Sequence, residues 1–99
     1  MKYNILDFIP YGKENAISQE ELAIRMRCDR RTVRASVFSA RRNGAVICST
    51  CEGEPTAGYY RPLSTAEALP YVKMQRSRIE SAKEALKSAE EYISNAEQG

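Results

Sequence analysis

The chain has 99 residues, of which 42% are hydrophobic and 28% charged, a composition that suits one soluble domain with at most an appended arm. It contains no histidine, the commonest general base and metal ligand, so we expect neither an enzyme nor a cofactor. No apolar run can span a bilayer, no signal peptide is evident, and the three cysteines are an odd number. We therefore expect a cytoplasmic protein without a disulfide scaffold, a membrane partner or a small-molecule ligand.

Positive charge is concentrated in one segment, although the net charge is only +2. Residues 25–42 carry seven arginines against one acid, Asp29, a local balance of 7 − 1 = +6 that leaves −4 for the rest of the chain. The five lysines all lie elsewhere. Arginine donates paired hydrogen bonds to phosphate oxygens and to guanine edges, which favours a nucleic-acid partner. A solvated helix face is the simpler interpretation of the charge alone.

Two helices are predicted before residue 28. Residues 2–9 carry a short apolar helix that Pro10 ends. Ser18 stands three residues before Glu21, the capping-box spacing, and predicts a helix that runs to about Arg27.

A third helix and a hairpin follow. Asp29 is a favourable N-cap for a helix over 30–43, and Gly44 stands where a left-handed C-terminal residue is needed. Residues 45–49 and 59–61 are predicted to form two short strands joined by a loop rich in turn-forming residues.

A long helix completes the chain. Ser64 and Glu67 have capping-box spacing and predict a helix that reaches about Ala96. Pro70 lies too deep for a first-turn proline, so we expect a kink or a break there.

The helix over 30–43 has two distinct faces on a helical wheel. The apolar stripe consists of Val33, Val37 and Ala40, and the adjoining arc consists of Arg30, Arg31, Arg34, Arg41 and Arg42. Such a helix can pack along the stripe and point five cations outward. Phe38 lies inside the arc. We favour its packing under the hairpin or the last helix, and contact with a thymine methyl group stays open.

Two short helices, a tight turn and a hairpin form the order of a winged helix-turn-helix. Over about residues 5–62 the sequence resembles small bacterial and phage-encoded winged-helix regulators. The resemblance is carried by Ile9-Pro10-Tyr11-Gly12, Asn15-Ala16-Ile17-Ser18, Leu22-Ala23, Arg31-Thr32-Val33-Arg34, Val37, Arg41-Arg42-Asn43-Gly44, Ile47 and Gly58-Tyr59-Tyr60. It implies a mostly α fold with a small β-hairpin over 1–63, to which 64–99 adds a long C-terminal helix.

The same resemblance implies a DNA-binding surface. Recognition-helix residues would be Arg30, Arg31, Thr32 and Arg34, and Ser18 and Gln19 would lie near phosphate. Apart from the resemblance, we expect a further phosphate contact from Arg41 or Arg42. The loop between the strands departs from the pattern, because it carries Glu52 and Glu54 and no cation. Phosphate repels these glutamates, so Arg61 at the hairpin base is the better candidate for a contact from this region.

The cysteines and tyrosines are explained more simply as structural residues than as a functional site. Cys48 and Cys51 have the C-x-x-C spacing of half a zinc site, but only Cys28 could add a ligand, so we expect no metal site. A redox role is an alternative to a plainly buried Cys48. Tyr59 and Tyr60 alternate across a strand, so we expect one ring in the core and one exposed.

The last helix carries a heptad pattern that predicts a dimerisation arm. Position a holds Val72, Ile79, Leu86 and Ile93, and position d includes Ala82 and Ala89. Along one flank the e positions change from Arg76 and Lys83 to Glu90 and Glu97, which favours an antiparallel homodimer. A kinked helix that folds back on its own domain is the alternative.

These features predict a sequence-specific double-stranded DNA-binding protein, a phage or prophage transcriptional regulator that acts as a dimer. Two alternatives stay open: a winged-helix protein-interaction module, and a DNA-handling role in phage replication or packaging. The arginine arc favours DNA, whereas the acidic hairpin loop and modest net charge keep the protein-interaction role open.

Overall fold

The computed structural model describes residues 4–51 and 57–98. It is mostly helical, with a small antiparallel hairpin and a long C-terminal helix, which confirms the predicted fold class at this level. The helices are α1 (Gln19–Met26), α2 (Arg30–Arg42) and α3 (Thr65–Gln98), and the strands are β1 (Cys48–Ser49) and β2 (Tyr59–Tyr60). Single 3-10 turns occupy Ile5–Asp7 and Lys13–Asn15.

The starts of α1 and α2 are fixed by the predicted caps. Ser18 Oγ accepts a hydrogen bond from the Glu21 backbone N–H at 3.0 Å, and Asp29 Oδ1 accepts one from the Thr32 N–H at 2.8 Å. Between the helices, Arg27 adopts a left-handed conformation with φ of 53°. This compact turn lets α1 and α2 pack directly against each other.

The first predicted helix is much shorter than expected. Instead of a helix over 2–9, the described residues form one 3-10 turn, Ile5–Asp7, with the Asn4 side chain accepting from the Leu6 N–H at 3.0 Å. So short a segment gains few helical hydrogen bonds, and its stability comes from packing Ile5 and Ile9 into the core.

One core lies between α1, α2 and the hairpin. Its buried side chains are Ile5, Ile9, Ile17, Leu22, Val33, Val37, Ile47 and Tyr59. The predicted apolar stripe of α2 is confirmed, because Val33 and Val37 are buried and Ala40 packs against the same cluster. Gly44 follows α2 with φ of 98°, as its C-terminal position requires.

The hairpin pairs on both sides of β2. Ser49 of β1 lies opposite Tyr59. On the other edge Tyr59 and Ile17 exchange two backbone hydrogen bonds, at 2.8 and 2.9 Å. Gly58, with φ of 137°, brings the chain against Ile17 so closely that a Cβ atom would overlap the Ile17 carbonyl.

Both hairpin tyrosines are buried, so the expectation that one ring would be exposed is wrong. Tyr59 faces the core, whereas Tyr60 points to the opposite face of the hairpin. The start of α3 covers that second face, and the Tyr60 hydroxyl donates to the Glu67 carbonyl at 2.7 Å. Burial raises the pKa of Tyr60 to about 12.

A break at Pro70 does not occur, because α3 continues through it. The alternative that we expected there, a kink, stays a prediction. Ser64 Oγ caps the helix by accepting from the Glu67 N–H at 3.4 Å, and Glu67 Oε1 accepts from the Leu63 N–H at 2.9 Å. The Cys51 thiol donates to the Pro70 carbonyl at 3.8 Å. Hydrogen bonds from Tyr60 and Cys51 therefore hold the turn of α3 that leads into the proline.

Beyond these turns α3 extends away from the rest of the fold. Residues 76–97 are all exposed, which is not the pattern of a helix folded back on its own domain. The molecule measures 55 × 34 × 24 Å, and its radius of gyration of 17.4 Å exceeds the value of about 13 Å for a compact chain of this length. No helix within the described ranges is long and apolar enough to cross a membrane.

Gly58→Ala tests the pairing of β2 with Ile17. The added methyl group meets backbone at a positive φ, so we expect a loss of about 3 kcal/mol or more in the free energy of unfolding. Gly44→Ala is the matched control, since its φ is also positive but no atom lies within 4 Å of the new Cβ. It should cost about 1 kcal/mol. Urea denaturation followed by circular dichroism measures both, and equal losses would contradict the close approach.

Candidate nucleic-acid interface

The part of the α2 surface outside the apolar stripe is exposed and rich in arginine. Arg31, Arg34 and Arg42 lie on it, with Phe38 among them. Phe38 is 62% exposed, so our favoured interpretation that it packs under the hairpin or α3 is wrong. Its ring lies 5.8 Å from Arg42 Cζ, and an exposed aromatic ring beside a cation is available to a partner.

Arg31 and Arg34 are the most available cations of this face. Neither guanidinium has a hydrogen bond or an ion pair to another residue in the described part of the chain. Arg31 and Thr32 border a shallow groove between α2 and Ile5. Hydrogen bonds from Thr32 are the main cause of the lowered pKa of Asp29, and the positive charge of Arg34 adds a smaller contribution.

Arg30 is exposed but paired. Its Nη2 atom lies 2.8 Å from Glu20 Oε1, and both side chains are more than half exposed. Such a pair adds little to stability. It does offset the charge of Arg30, so Arg30 presents less net charge to a polyanion than Arg31 does.

The expectation that five cations point outward is wrong for Arg41. Its Nε donates to the Ile47 carbonyl at 2.9 Å, and its Cζ lies 5.0 Å from the Tyr71 ring centre and 5.8 Å from that of Tyr59. Its Nη2 is buried without a hydrogen-bond partner among the described residues. Arg41 borders the apolar stripe, where the hairpin and α3 enclose it. Its phosphate contact stays a prediction, whereas its contacts within the fold join α2 to both elements.

Ser18 and Gln19 lie beside Arg30. All three line one surface depression with Gly58 of the hairpin. Gln19 Nε2 donates to the Tyr59 hydroxyl at 2.8 Å, which orients the start of α1. The structure therefore brings these predicted phosphate-contacting residues next to α2.

Arg61 lies apart from that depression. Its Cζ stacks 4.5 Å from the Tyr11 ring centre, at the base of the hairpin. The glutamates Glu52 and Glu54, which argued against a DNA contact from the hairpin loop, lie outside the described residues.

Arg78 is a residue that sequence reasoning missed. With Gln75 it lines a polar cavity of about 280 Å³ that also includes Gln19, Arg41 and Ser49. The signal was present, since Tyr71, Gln75 and Arg78 follow one another at helical spacing along one face of α3. Only the packing of α3 against the hairpin shows that this face meets Gln19.

The electrostatics of the α2 start favour an ordered helix. Hydrogen bonds from Thr32 hold the pKa of Asp29 below its ordinary value of 3.8.

The buried thiol of Cys48 has a raised pKa because burial disfavours the thiolate. In the part of the chain that the structure describes, no three metal-ligating side chains cluster.

Comparison of the chain with protein-family models, with curated proteins and with solved structures gave no match.

Asp29→Asn tests the cap at the start of α2 through pH. A depressed folded-state pKa contributes stability that is present above the unfolded-state pKa and is lost as pH falls through the folded value. Asparagine caps as well as aspartate but does not titrate. We therefore expect the melting temperature of the variant to fall less than that of the wild type as pH drops below about 4. Thermal melts should show Asp29→Ala to be less stable than both at neutral pH, and parallel pH profiles for wild type and Asp29→Asn would contradict the account.

Arg41→Ala tests the inward role of this arginine. Loss of the Ile47 hydrogen bond and of the aromatic contacts should lower the free energy of unfolding by about 1–3 kcal/mol. Arg42→Ala removes the same charge from the exposed face and should change it by less than about 0.5 kcal/mol. Denaturant unfolding compares the two variants, and an Arg41→Ala protein as stable as wild type would contradict the assignment.

Proposed function

We propose that this protein binds double-stranded DNA sequence-specifically through the exposed face of α2, as a transcriptional regulator of the winged helix-turn-helix type. The observation that carries the proposal is the two-faced build of α2. Val33 and Val37 are buried, while Arg31, Arg34 and Arg42 are exposed outside the apolar stripe. A helix seated in this way can enter a major groove about 12 Å wide without disturbing the core.

The surrounding elements support the assignment. α1 packs on α2 across a tight turn, and an antiparallel hairpin follows α2 in sequence. The backbone pairing of Ile17 with Tyr59 ties the segment before α1 to the hairpin. This arrangement agrees with a winged helix-turn-helix, in which the second helix of the pair reads the DNA. The phage or prophage setting of the proposal rests on the sequence resemblance.

Each exposed side chain has a role in this proposal. Arg31 and Arg34 lie near the start of α2, where a recognition helix contacts base edges, and arginine pairs with guanine through two hydrogen bonds. Phe38 is placed to contact a thymine methyl group. Arg42 contacts phosphate from the last turn. The Arg30–Glu20 pair borders the interface and limits the charge on that side.

The start of α1 adds phosphate contacts. Ser18 and Gln19 lie at a helix N-terminus beside Arg30, where free backbone N–H groups favour an anion. Arg78, a cation of α3, lines a cavity that also includes Gln19. A DNA strand that runs past Gln19 would meet the start of α1 and Arg78, so the phosphate contacts extend from α1 to α3.

The decisive experiment compares DNA binding by two double variants of equal charge. Arg31→Ala/Arg34→Ala removes two cations from α2, and Lys73→Ala/Lys87→Ala removes two exposed cations from α3. Fluorescence anisotropy measures each protein on a duplex obtained by in vitro selection and on a random duplex of the same length. The α2 variant should lose about 1–3 kcal/mol of discrimination for each residue that reads a base. The α3 variant should keep the wild-type ratio.

The salt dependence of affinity for the random duplex supplies a second readout. The slope of log affinity against log salt should become shallower by about 0.9 for each phosphate contact that a variant loses. Equal effects of the two variants on both duplexes, or no binding by the wild type at low salt, would contradict the proposal. The second outcome would favour a protein-interaction module instead.

A further inference from the structure

The distal part of α3 carries an apolar stripe that its own domain does not cover. Ile79, Leu86 and Ile93 are 53%, 60% and 56% exposed, and they recur every seven residues. The residues around them, 76–97, are exposed throughout. A long apolar stripe of this kind on an extended helix marks an interaction surface.

We propose that a second copy of this chain covers the stripe, as an antiparallel pair of α3 helices over residues 79–96. In this register each large side chain meets a small one. The opposed pairs are Ile79 with Ala96, Ala82 with Ile93, and Leu86 with Ala89, and the two-fold axis repeats all three. One helix therefore supplies both halves of the interface, as a two-fold dimer requires.

Charge on the flank of α3 selects the same orientation. The antiparallel register places Lys83 opposite Glu90 of the second copy, and Arg76 opposite Glu97. A parallel pair would instead place the e positions against g positions, which hold Arg78, Ala85 and Tyr92. That arrangement offers little charge complementarity. Exposed ion pairs contribute little energy but distinguish one orientation from the other.

The packing of the proximal part of α3 limits the paired segment. Tyr71 and Gln75 turn toward their own domain, where Tyr71 stacks on Arg41 and Gln75 donates to the Tyr71 hydroxyl. Val72 is less exposed than the distal apolar residues and lies before the paired stretch. Of the residues predicted for the dimer interface, the register therefore uses Ile79, Ala82, Leu86, Ala89 and Ile93.

The pairing also sets the spacing of the two domains. From the helical rise, the two copies of residue 71 lie about 50 Å apart along the axis of the paired helices. If α2 reads DNA as proposed above, the half-sites are separated by more than one turn of the double helix. This consequence rests on the proposed function, whereas self-association does not.

Sedimentation velocity of the full-length protein without DNA, from low to high micromolar concentration, tests the pairing. Lys83→Glu and Glu90→Lys each create two like-charge contacts across the axis and should weaken the dimer by about tenfold. The double variant restores both pairs and should return to within about twofold of wild type. Lys87→Glu is the matched control, because it makes the same charge change at an outward position. Its dimer constant should equal that of the wild type.

Leu86→Asp provides an independent check. It should yield a monomer that still unfolds cooperatively in a thermal melt, because Leu86 lies outside the core. A wild-type protein that is monomeric at every concentration would overturn the proposal. So would charge variants that all associate alike. A monomeric Leu86→Asp protein that still binds a single half-site would separate this proposal from the DNA-binding proposal, so that either could fail alone.

Discussion

The backbone pairing between Ile17 and Tyr59 is the constraint on which the rest of the structure depends. Two hydrogen bonds, at 2.8 and 2.9 Å, join the segment before α1 to β2, and Gly58 permits the close approach. The start of α1 is then fixed beside the hairpin, where Gln19 donates to the Tyr59 hydroxyl. Because successive side chains of a strand point to opposite faces, the two tyrosines of β2 contact different layers of the fold.

This arrangement connects packing to the exposed face of α2. Tyr59 lies in the core against which Val33 and Val37 pack, and Arg41 stacks between Tyr59 and Tyr71. The inward side of α2 is therefore engaged by both the hairpin and α3. Among the described residues, Arg31, Arg34 and Phe38 on the remaining side are exposed, so they can contact a partner without a cost to the fold.

Local signals predicted local structure well. Ser18 and Asp29 cap their helices as expected, because a cap depends on a few neighbouring residues. The apolar stripe of α2 likewise follows from helical spacing alone. The heptad pattern of α3 correctly indicated a long helix, and the sequence also located the exposed cations Arg31 and Arg34.

The errors have a common cause in packing between distant segments. Tyr60 is buried because α3 covers the second face of the hairpin, and Arg41 turns inward because the same helix brings Tyr71 beside it. Helix α3 also remains continuous through Pro70 in contact with the hairpin. Each of these results depends on where α3 packs, and helical periodicity in the sequence does not predict that. Phe38 is the opposite error. The general tendency of phenylalanine to be buried predicted that it would pack, but no described element covers its side chain.

The central claim is that DNA meets the outward face of α2, and NMR mapping of the isotopically labelled protein tests it most directly. A short duplex titrated at low salt should shift the amide signals of α2 around Arg31, Arg34 and Phe38 most, followed by those of Ser18 and Gln19. Shifts confined to the distal part of α3, or no shifts at saturating duplex, would contradict the account.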